Sequence, residues 1–336
     1  MKEKALESGL FFSERERKMN YTENEIKAVF DKLEEASSIV IFGHKNPDGD
    51  CVGSVLGRKY ALLSLFPNKK VYALGTHPAY LGPVDDSDIV SDETIQSSLC
   101  VRIDLSDFDR VEDQRILLSH DVVCIDHHIS DKPFPYPIIR DELAPSATYV
   151  LAKSLLVRYG KIPSSKSATY LFMGLVTDSG RFQYDAEPST FELAAKLVSY
   201  GVDYKTLYNN RYQQNSRDLR YRSFIYSHFD FSGRVSYCVV KKEDYHALNR
   251  TQEEASGKVN LLALLDHHPI WALFTEQENS TVRVELRSNG FYNVQLAAVK
   301  FNGGGHLAAS GCTLSSLDII PQVLEALNQL EEIHGK

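Results

Sequence analysis

Apolar positions along the chain follow two rhythms, and their alternation carries the first expectation. Ile26, Val29, Phe30 and Leu33 fall at helical spacing behind Thr22 and Glu25, a capping-box pair, so a helix is predicted there. Residues 39–42 are β-branched or aromatic and read as a buried strand. Val52, Val55, Leu56, Leu62 and Leu63 return to the helical period, with Gly53, Ser54 and Gly57 keeping the first turns slim. Further strands are predicted at 70–74, 100–104 and 122–126, and helices over 146–160 and 167–176. Ser189 and Glu192 form a second capping-box pattern, and Gly201 closes the helix behind it as a left-handed cap. This alternation predicts an α/β domain with a mainly parallel, doubly wound sheet and helices on both faces. In such sheets ligands bind beyond the carboxyl ends of the strands.

The pattern changes after residue 202. Residues 203–230 are polar and rich in Tyr and Arg, and are predicted as a connecting segment. Strands follow at 234–240 and 270–275, and residues 281–287 alternate polar and apolar strictly, as a half-buried strand does. Helices are predicted at 253–265, 293–300 and, despite Pro321, 317–333, with a glycine-rich loop at 301–311. The expected division is an N-terminal extension at 1–20, a first domain at 21–202, the connection at 203–230 and a smaller α/β domain at 231–336.

Composition narrows the function classes. Of 336 residues, 43% are hydrophobic and 24% charged, the balance of an ordinary soluble protein. A formal net charge of -8 weighs against tracking of duplex nucleic acid and favours small anionic ligands on a local basic site. The five cysteines are scattered, odd in number and lack a C-x-x-C pair, which suggests neither a disulfide frame nor a zinc ribbon and suits a reducing cytoplasm. No stretch has the length and apolarity of a signal peptide core or a membrane span.

The candidate chemistry sits at element ends. His44, Asp48 and Asp50 lie in the loop after the first strand, Asp104 ends another, Asp126, His127 and His128 end a third, and Asp178 follows an apolar helix. Taken singly, each reads as well as a cap or a satisfied core polar group, and His44 to Asp50 as an Asx-rich turn that starts a helix. Together they supply carboxylate and imidazole ligands sufficient for a two-metal site. Cys51 and Ser54 have no evident base beside them and read as packing and helix-start residues.

In order and spacing these segments resemble the motifs of the DHH phosphoesterase family. His44-x-x-Pro47-Asp48-Gly49-Asp50 is similar to its first motif, Asp104 to its second, Asp126-His127-His128 to the one that names it, and Asp178 with Gly180-Arg181-Phe182 to its fourth. Asn302-Gly303-Gly304-Gly305-His306-x-x-Ala309-x-Gly311, with Leu286-Arg287-Ser288 upstream, resembles the DHHA1 domain; Asn302 stands where the family usually has a fourth glycine. Asp266-His267-His268 repeats the naming motif in the wrong domain and reads as a helix end or turn.

The resemblance implies that His44, Asp48 and Asp104 hold one Mn2+ and that Asp50, Asp104, His127 and Asp178 hold a second, with Mg2+ or Co2+ as substitutes and Asp104 bridging. It implies that the two ions activate a bridging hydroxide, that His128 faces the substrate phosphate or assists the leaving oxygen, and that Asp126 orients its neighbours. Arg287, Ser288, Gly303, Gly304, Gly305 and His306 would grip the substrate's anionic end, in a cleft between the domains. In size and DHHA1 type the chain resembles the nanoRNase and 3′-phosphoadenosine-5′-phosphate (pAp) phosphatase group. This implies a cytoplasmic hydrolase of small nucleotides or short single-stranded oligonucleotides, compatible with a homodimer, with no duplex nucleic acid and no membrane as partner. A cyclic or linear dinucleotide phosphodiesterase and a catalytically silent nucleotide-binding regulator are the alternatives.

Overall fold

The computed structural model describes residues 19–130, 134–183, 186–212, 215–263 and 265–333. They divide into two units, one up to residue 213 and one from 214 onward. The expected extension at 1–20 lies almost entirely outside the described residues.

In the first unit the elements run α1 (Glu23–Glu35), β1 (Ser38–Phe42), α2 (Gly49–Leu65), β2 (Lys70–Leu74), α3 (Asp92–Gln96), β3 (Leu99–Ile103), β4 (Val122–Asp126), β5 (Ile138–Arg140), α4 (Ala147–Tyr159), α5 (Ser165–Asp178), α6 (Pro188–Ser199) and α7 (Tyr204–Tyr212). The five strands are all parallel, in the order β2-β1-β3-β4-β5. Strand order reverses at β1, so a crevice opens where β1 and β3 end side by side. His44 and Asp104 lie just past those two ends.

One sheet face is covered by α1, α2, α4 and α5 around Phe30, Ile39, Ile41, Val101, Ile125 and Leu171. The slim turns of α2 are required there: a Cβ on Gly53 would stand 2.6 Å from the Tyr170 carbonyl oxygen, and one on Gly57 3.0 Å from the Leu171 side chain. The opposite face, around Phe42, Leu74, Cys100 and Ile116, is closed by the short α3 and by 3₁₀ turns at Phe108–Arg110 and Gln114–Leu118. The sheet is doubly wound, but its second layer is thin because few residues separate β3 from β4.

Two local expectations are corrected, and the polar stretch expected to connect the domains, within which the two units divide, is helical. Helix α6 starts at Pro188 and is capped by Glu187 paired with Thr190. Ser189 is instead buried, 3.1 Å from the Tyr149 hydroxyl. The polar stretch 203–230 folds largely into α7 and α8 (Ser216–His228). The single helix expected over 253–265 is a short helix, then a 3₁₀ turn at Val259–Leu262, because Gly257 at φ +74° breaks the run.

The second unit holds α8, β6 (Phe229–Ser232), β7 (Val235–Val240), α9 (Lys242–Ala247), α10 (Gln252–Ala255), β8 (Ile270–Glu276), β9 (Val282–Ser288), α11 (Val294–Lys300), β10 (Gly304–Gly305), β11 (Ala309–Leu314) and α12 (Ile320–Asn328). Its mixed sheet runs β10-β11-β9-β8-β7-β6, with β7 and β8 parallel and the other pairs antiparallel. Helices α11 and α12 bury one face against Ile270, Val284 and Leu286, while Tyr221 and Ile225 of α8 pack with Trp271 and Leu273 on the other. Pro321 sits in the first turn of α12, where its missing N–H costs nothing. Among the described residues no helix is long and apolar enough to cross a membrane.

Candidate metal centre

The loop after β1 is held by bonds of its own backbone amides. The His44 amide donates to Cys51 Sγ at 3.3 Å, Lys45 N–H donates to the Arg110 carbonyl, and Asn46 adopts a left-handed φ of 54°. His44 Nδ1 lies 2.9 Å from the Lys45 carbonyl, which makes Nδ1 the protonated nitrogen and turns Nε2 toward the Asp104 carboxylate, 3.5 Å away. Asp48 is the N-cap of α2, accepting from the Asp50 and Cys51 amides at 3.0 Å. The same Oδ1 is 3.9 Å from His44 Nε2, so helix cap and candidate ligand are one atom.

Asp50 is fully buried and points away from α2. Its carboxylate accepts from the Ala147 amide at 2.6 Å, the Thr148 amide at 3.0 Å and the Thr148 hydroxyl at 2.6 Å. The N-terminus of α4 thus fixes this carboxylate in place. His127 stands opposite: Nδ1 is 3.1 Å from the Ala144 carbonyl, and Nε2 is 3.4 Å from Asp104, 3.7 Å from Asp178 and 3.9 Å from Asp50. Both imidazoles are held by a backbone carbonyl at Nδ1, the arrangement that prepares Nε2 for a metal. Asp178, the last residue of α5, is the most open of these acids apart from Asp48, at 31% side-chain exposure against 53%.

Asp104 is the centre of the group. It is buried, its backbone is left-handed at φ 62°, and its Oδ1 has no hydrogen-bond partner among the described residues. A buried orphan oxygen between two imidazole nitrogens is a position that a cation would satisfy. Among the described residues, three sets of side chains have ligand atoms within 4.8 Å of one another: His44–Cys51–Asp104, Asp104–His127–His128 and Asp50–His127–Asp178. Cys51, read from the sequence as packing, therefore borders the site, although burial pushes its thiol up to about 11.

Charge in the site is strongly coupled. Burial alone would raise the Asp104 carboxyl, but its contacts with His127 and His44 outweigh it and hold that carboxyl well below the usual range. Burial opposes protonation of His44, yet Asp104 pushes it up to about 12, and His127 is raised for the same reason. Asp50 is pushed up to about 7, first by burial and then by the Asp104 charge, and Asp178 is raised by burial and by Asp50. These acids crowd one another, the condition that divalent cations relieve.

In the second unit, Arg287 lies on β9 opposite Ala309 of β11 and donates to the Leu286 carbonyl at 2.9 Å. Ser288 donates its hydroxyl to the Tyr292 carbonyl at 2.7 Å and accepts from the Gly290 amide, so it holds the turn after β9. A Cβ at Gly303 would stand 2.2 Å from the Gly311 carbonyl oxygen, and one at Gly305, whose φ is +139°, 2.6 Å from the Ala309 carbonyl oxygen. Gly304 faces open space, in a cavity of about 650 Å³ that Arg283, Arg287, Asn302 and Gly305 also line. The His306 amide donates to the Ala309 carbonyl at 2.8 Å and closes the loop. Asp266-His267-His268 forms a turn, as expected, with His267 at φ 63° and His268 stacked 4.0 Å from Phe231.

Residues 38–175 match the DHH family N-terminal domain, and residues 234–332 match the DHHA1 domain. The chain belongs to the DHH/DHHA1 phosphoesterase family. It is similar to the bifunctional oligoribonuclease and PAP phosphatase NrnA of Mycoplasma genitalium, 28% identical over 307 residues that cover 89% of this chain and 95% of the relative. The protein of the same description from Bacillus subtilis is 29% identical over 301 residues, covering 88% and 96%. A solved structure of an exopolyphosphatase-related protein from Bacteroides fragilis shares the fold, with a TM-score of 0.84, 23% identity and coverage of 90% of this chain and 96% of that one. As a DHH/DHHA1 protein the chain is a phosphoric ester hydrolase of a metal-dependent family.

Within the DHH segment itself, Asp126 is wholly buried and belongs to none of the three groups of ligand atoms above. Its Oδ1 accepts from the His128 amide at 3.1 Å and lies 2.9 Å from His128 Nδ1, while its Oδ2 faces Arg140 Nε at 3.3 Å. The groups that hold the candidate ligands, Ala144, Ala147, Thr148 and Arg140, escaped the sequence reading. Ala144 and Ala147 act through backbone atoms alone, which no residue pattern marks; the Thr148 hydroxyl and the Asp–Arg register across β4 and β5 were the usable signals.

Proposed function

We propose that the protein hydrolyses phosphate esters of short oligonucleotides and of 3′-phosphoadenosine-5′-phosphate, using two divalent cations, Mn2+ by preference. The observation that carries this reading is the convergence of His44, Asp48, Asp50, His127 and Asp178 on Asp104, whose buried Oδ1 lacks a partner. His44, Asp48 and Asp104 would hold one ion, and Asp50, Asp104, His127 and Asp178 the other. When bound there, such ions supply Lewis acidity to the phosphoryl oxygens and lower the pKa of water.

The chain's own residues do the rest. The Lys45 and Ala144 carbonyls keep the two Nε2 atoms aimed inward, and the α4 amides keep Asp50 from rotating. His128, oriented by Asp126, would face the phosphate and hand a proton to the leaving oxygen. Arg287, His306 and the amides around Gly304 would take the substrate's distal anionic group, with charge-assisted bonds from the side chains and close approach at the glycines. Ser288 would serve by fixing the strand end that carries Arg287. The relatives' description as oligoribonuclease and PAP phosphatase supports this substrate class, and five buried free thiols suit the cytoplasm.

The test is direct. Purified protein with Mn2+ is incubated with pAp, linear pApA, cyclic di-AMP, a 5-mer and a 24-mer RNA, and the products are separated. Release of phosphate from pAp and of mononucleotides from the dimer and 5-mer is expected, with the 24-mer spared. No release from any substrate, with metal shown to be bound, would sink the proposal; turnover of cyclic di-AMP alone would replace it with a dinucleotide phosphodiesterase.

A further inference from the structure

Asp126 is a wholly buried carboxylate, and such a group persists only with compensating partners. It has two. Oδ1 serves His128, through the backbone amide at 3.1 Å and Nδ1 at 2.9 Å. Oδ2 faces the Arg140 guanidinium, 3.3 Å away at Nε, as an ion pair and not a hydrogen bond, since neither atom has a hydrogen-bond partner among the described residues. The second contact is fixed by strand pairing, because Asp126 and Arg140 are register partners on β4 and β5. Arg140 is itself mostly buried, with 17% side-chain exposure, and donates from Nη1 to the Ser130 carbonyl at 3.5 Å. The Ser130 amide in turn donates to Glu142 at 3.3 Å. Both sides of the loop that carries His127 and His128 are therefore tied to the end of β5.

We infer that Arg140 is a positioning residue for the hydrolysis, acting on His128 through Asp126. The guanidinium draws Oδ2 to itself and so fixes the rotation of the carboxylate, leaving Oδ1 for the imidazole. Nδ1 of His128 then donates to Oδ1, and Nε2 is turned to the substrate side, where the imidazolium passes its second proton to the leaving oxygen. Without Arg140, Oδ2 would be a buried charge with no cation beside it, free to rotate and to release Nδ1. The backbone bonds that hold His127 do not pass through Arg140, so the candidate metal ligands should keep their places. The arrangement is a chain of three groups in which only the last meets substrate, and it rests on the reading that His128 serves the leaving oxygen.

The experiment is a double-mutant cycle on the full chain loaded with Mn2+ and assayed on pAp and a 5-mer RNA. Arg140→Met should lower kcat by about 10- to 100-fold, the range for groups that orient a functional side chain from behind. KM and bound metal should stay within about twofold of the parent. Arg140→Lys, which returns a cation to Oδ2 without the guanidinium plane, should recover part of kcat and remains informative if Arg140→Met does not fold. Combined with His128→Gln, Arg140→Met should cost little more, because its effect has already been removed. A parent-like kcat in Arg140→Met overturns the inference, and so does a loss that multiplies undiminished on the His128→Gln background, which marks a general structural role. A fully active His128→Gln enzyme would instead overturn the role assigned to His128, and with it the ground for Arg140.

Discussion

At the scale of single residues, Asp104 combines backbone strain, burial and an oxygen left without a partner. Asn accepts the left-handed backbone as readily as Asp, so Asp104→Asn isolates the charge from the conformation. That variant is expected to fold, to lose bound metal by elemental analysis, and to lose kcat/KM by about 10³-fold or more. The titration of the site gives a second expectation. His44 is raised to about 12, so its stabilising contribution is complete below the ordinary imidazole value and fades as pH climbs through the folded one. Asp50 is raised to about 7, so its ionisation costs stability progressively between the ordinary carboxyl value and 7. Asp104, lowered, changes only below this window. Both upward shifts act in one direction: the metal-free protein should melt at lower temperature as pH goes from 5 to 8, while Mn2+ affinity rises because binding displaces those protons. Calorimetric titration in two buffers of different ionisation enthalpy should detect the release; a pH-independent affinity would contradict it.

At the scale of elements, legibility followed contact with solvent and with the core. Strands buried on both faces and capped amphipathic helices such as α1 were readable, because one periodicity dominates each. Helices α7 and α8 were not, since Asn, Arg and Tyr occupy most of α7, polar residues most of α8, and only Tyr221 and Ile225 of α8 are buried. The start of α6 was misplaced because Ser189–Glu192 and Glu187–Thr190 both fit a cap, and burial of Ser189 against Tyr149 decides between them. The candidate ligands were legible because each closes an apolar segment; the amides and carbonyls that aim them have no residue identity to read. Glycines in α2 carry a prediction here. Gly53→Ala would drive a methyl into the backbone of α5, at 2.6 Å from Tyr170 O and 2.9 Å from Gly174 N. Destabilisation of about 1–3 kcal/mol is expected, read as a lower melting temperature by calorimetry. An unchanged melting point would mean that α2 and α5 can separate at no cost.

At the scale of the whole molecule, each unit has its own hydrophobic cores, and the candidate metal and anion sites lie in different units. Metal should therefore raise the melting transition of the first unit selectively, by about 2.7 kcal/mol at a hundredfold excess over its Kd. Arg287→Ala should raise KM for anionic substrates while leaving bound metal and that transition unchanged; loss of metal in this variant would show that the two sites are not separable. The bonds that Asp50 makes to Ala147 and Thr148 bridge 97 and 98 positions of sequence, and Asp178 lies further on still. During synthesis the first acidic loop emerges long before the helices that aim and complete it. At about 5–20 residues per second the nascent chain carries an unfinished set of ligands for several seconds or more. Capture of the full complement of ions is thus an event of late synthesis, and a ribosome stalled before α5 has emerged would display a chain that binds the cations only weakly.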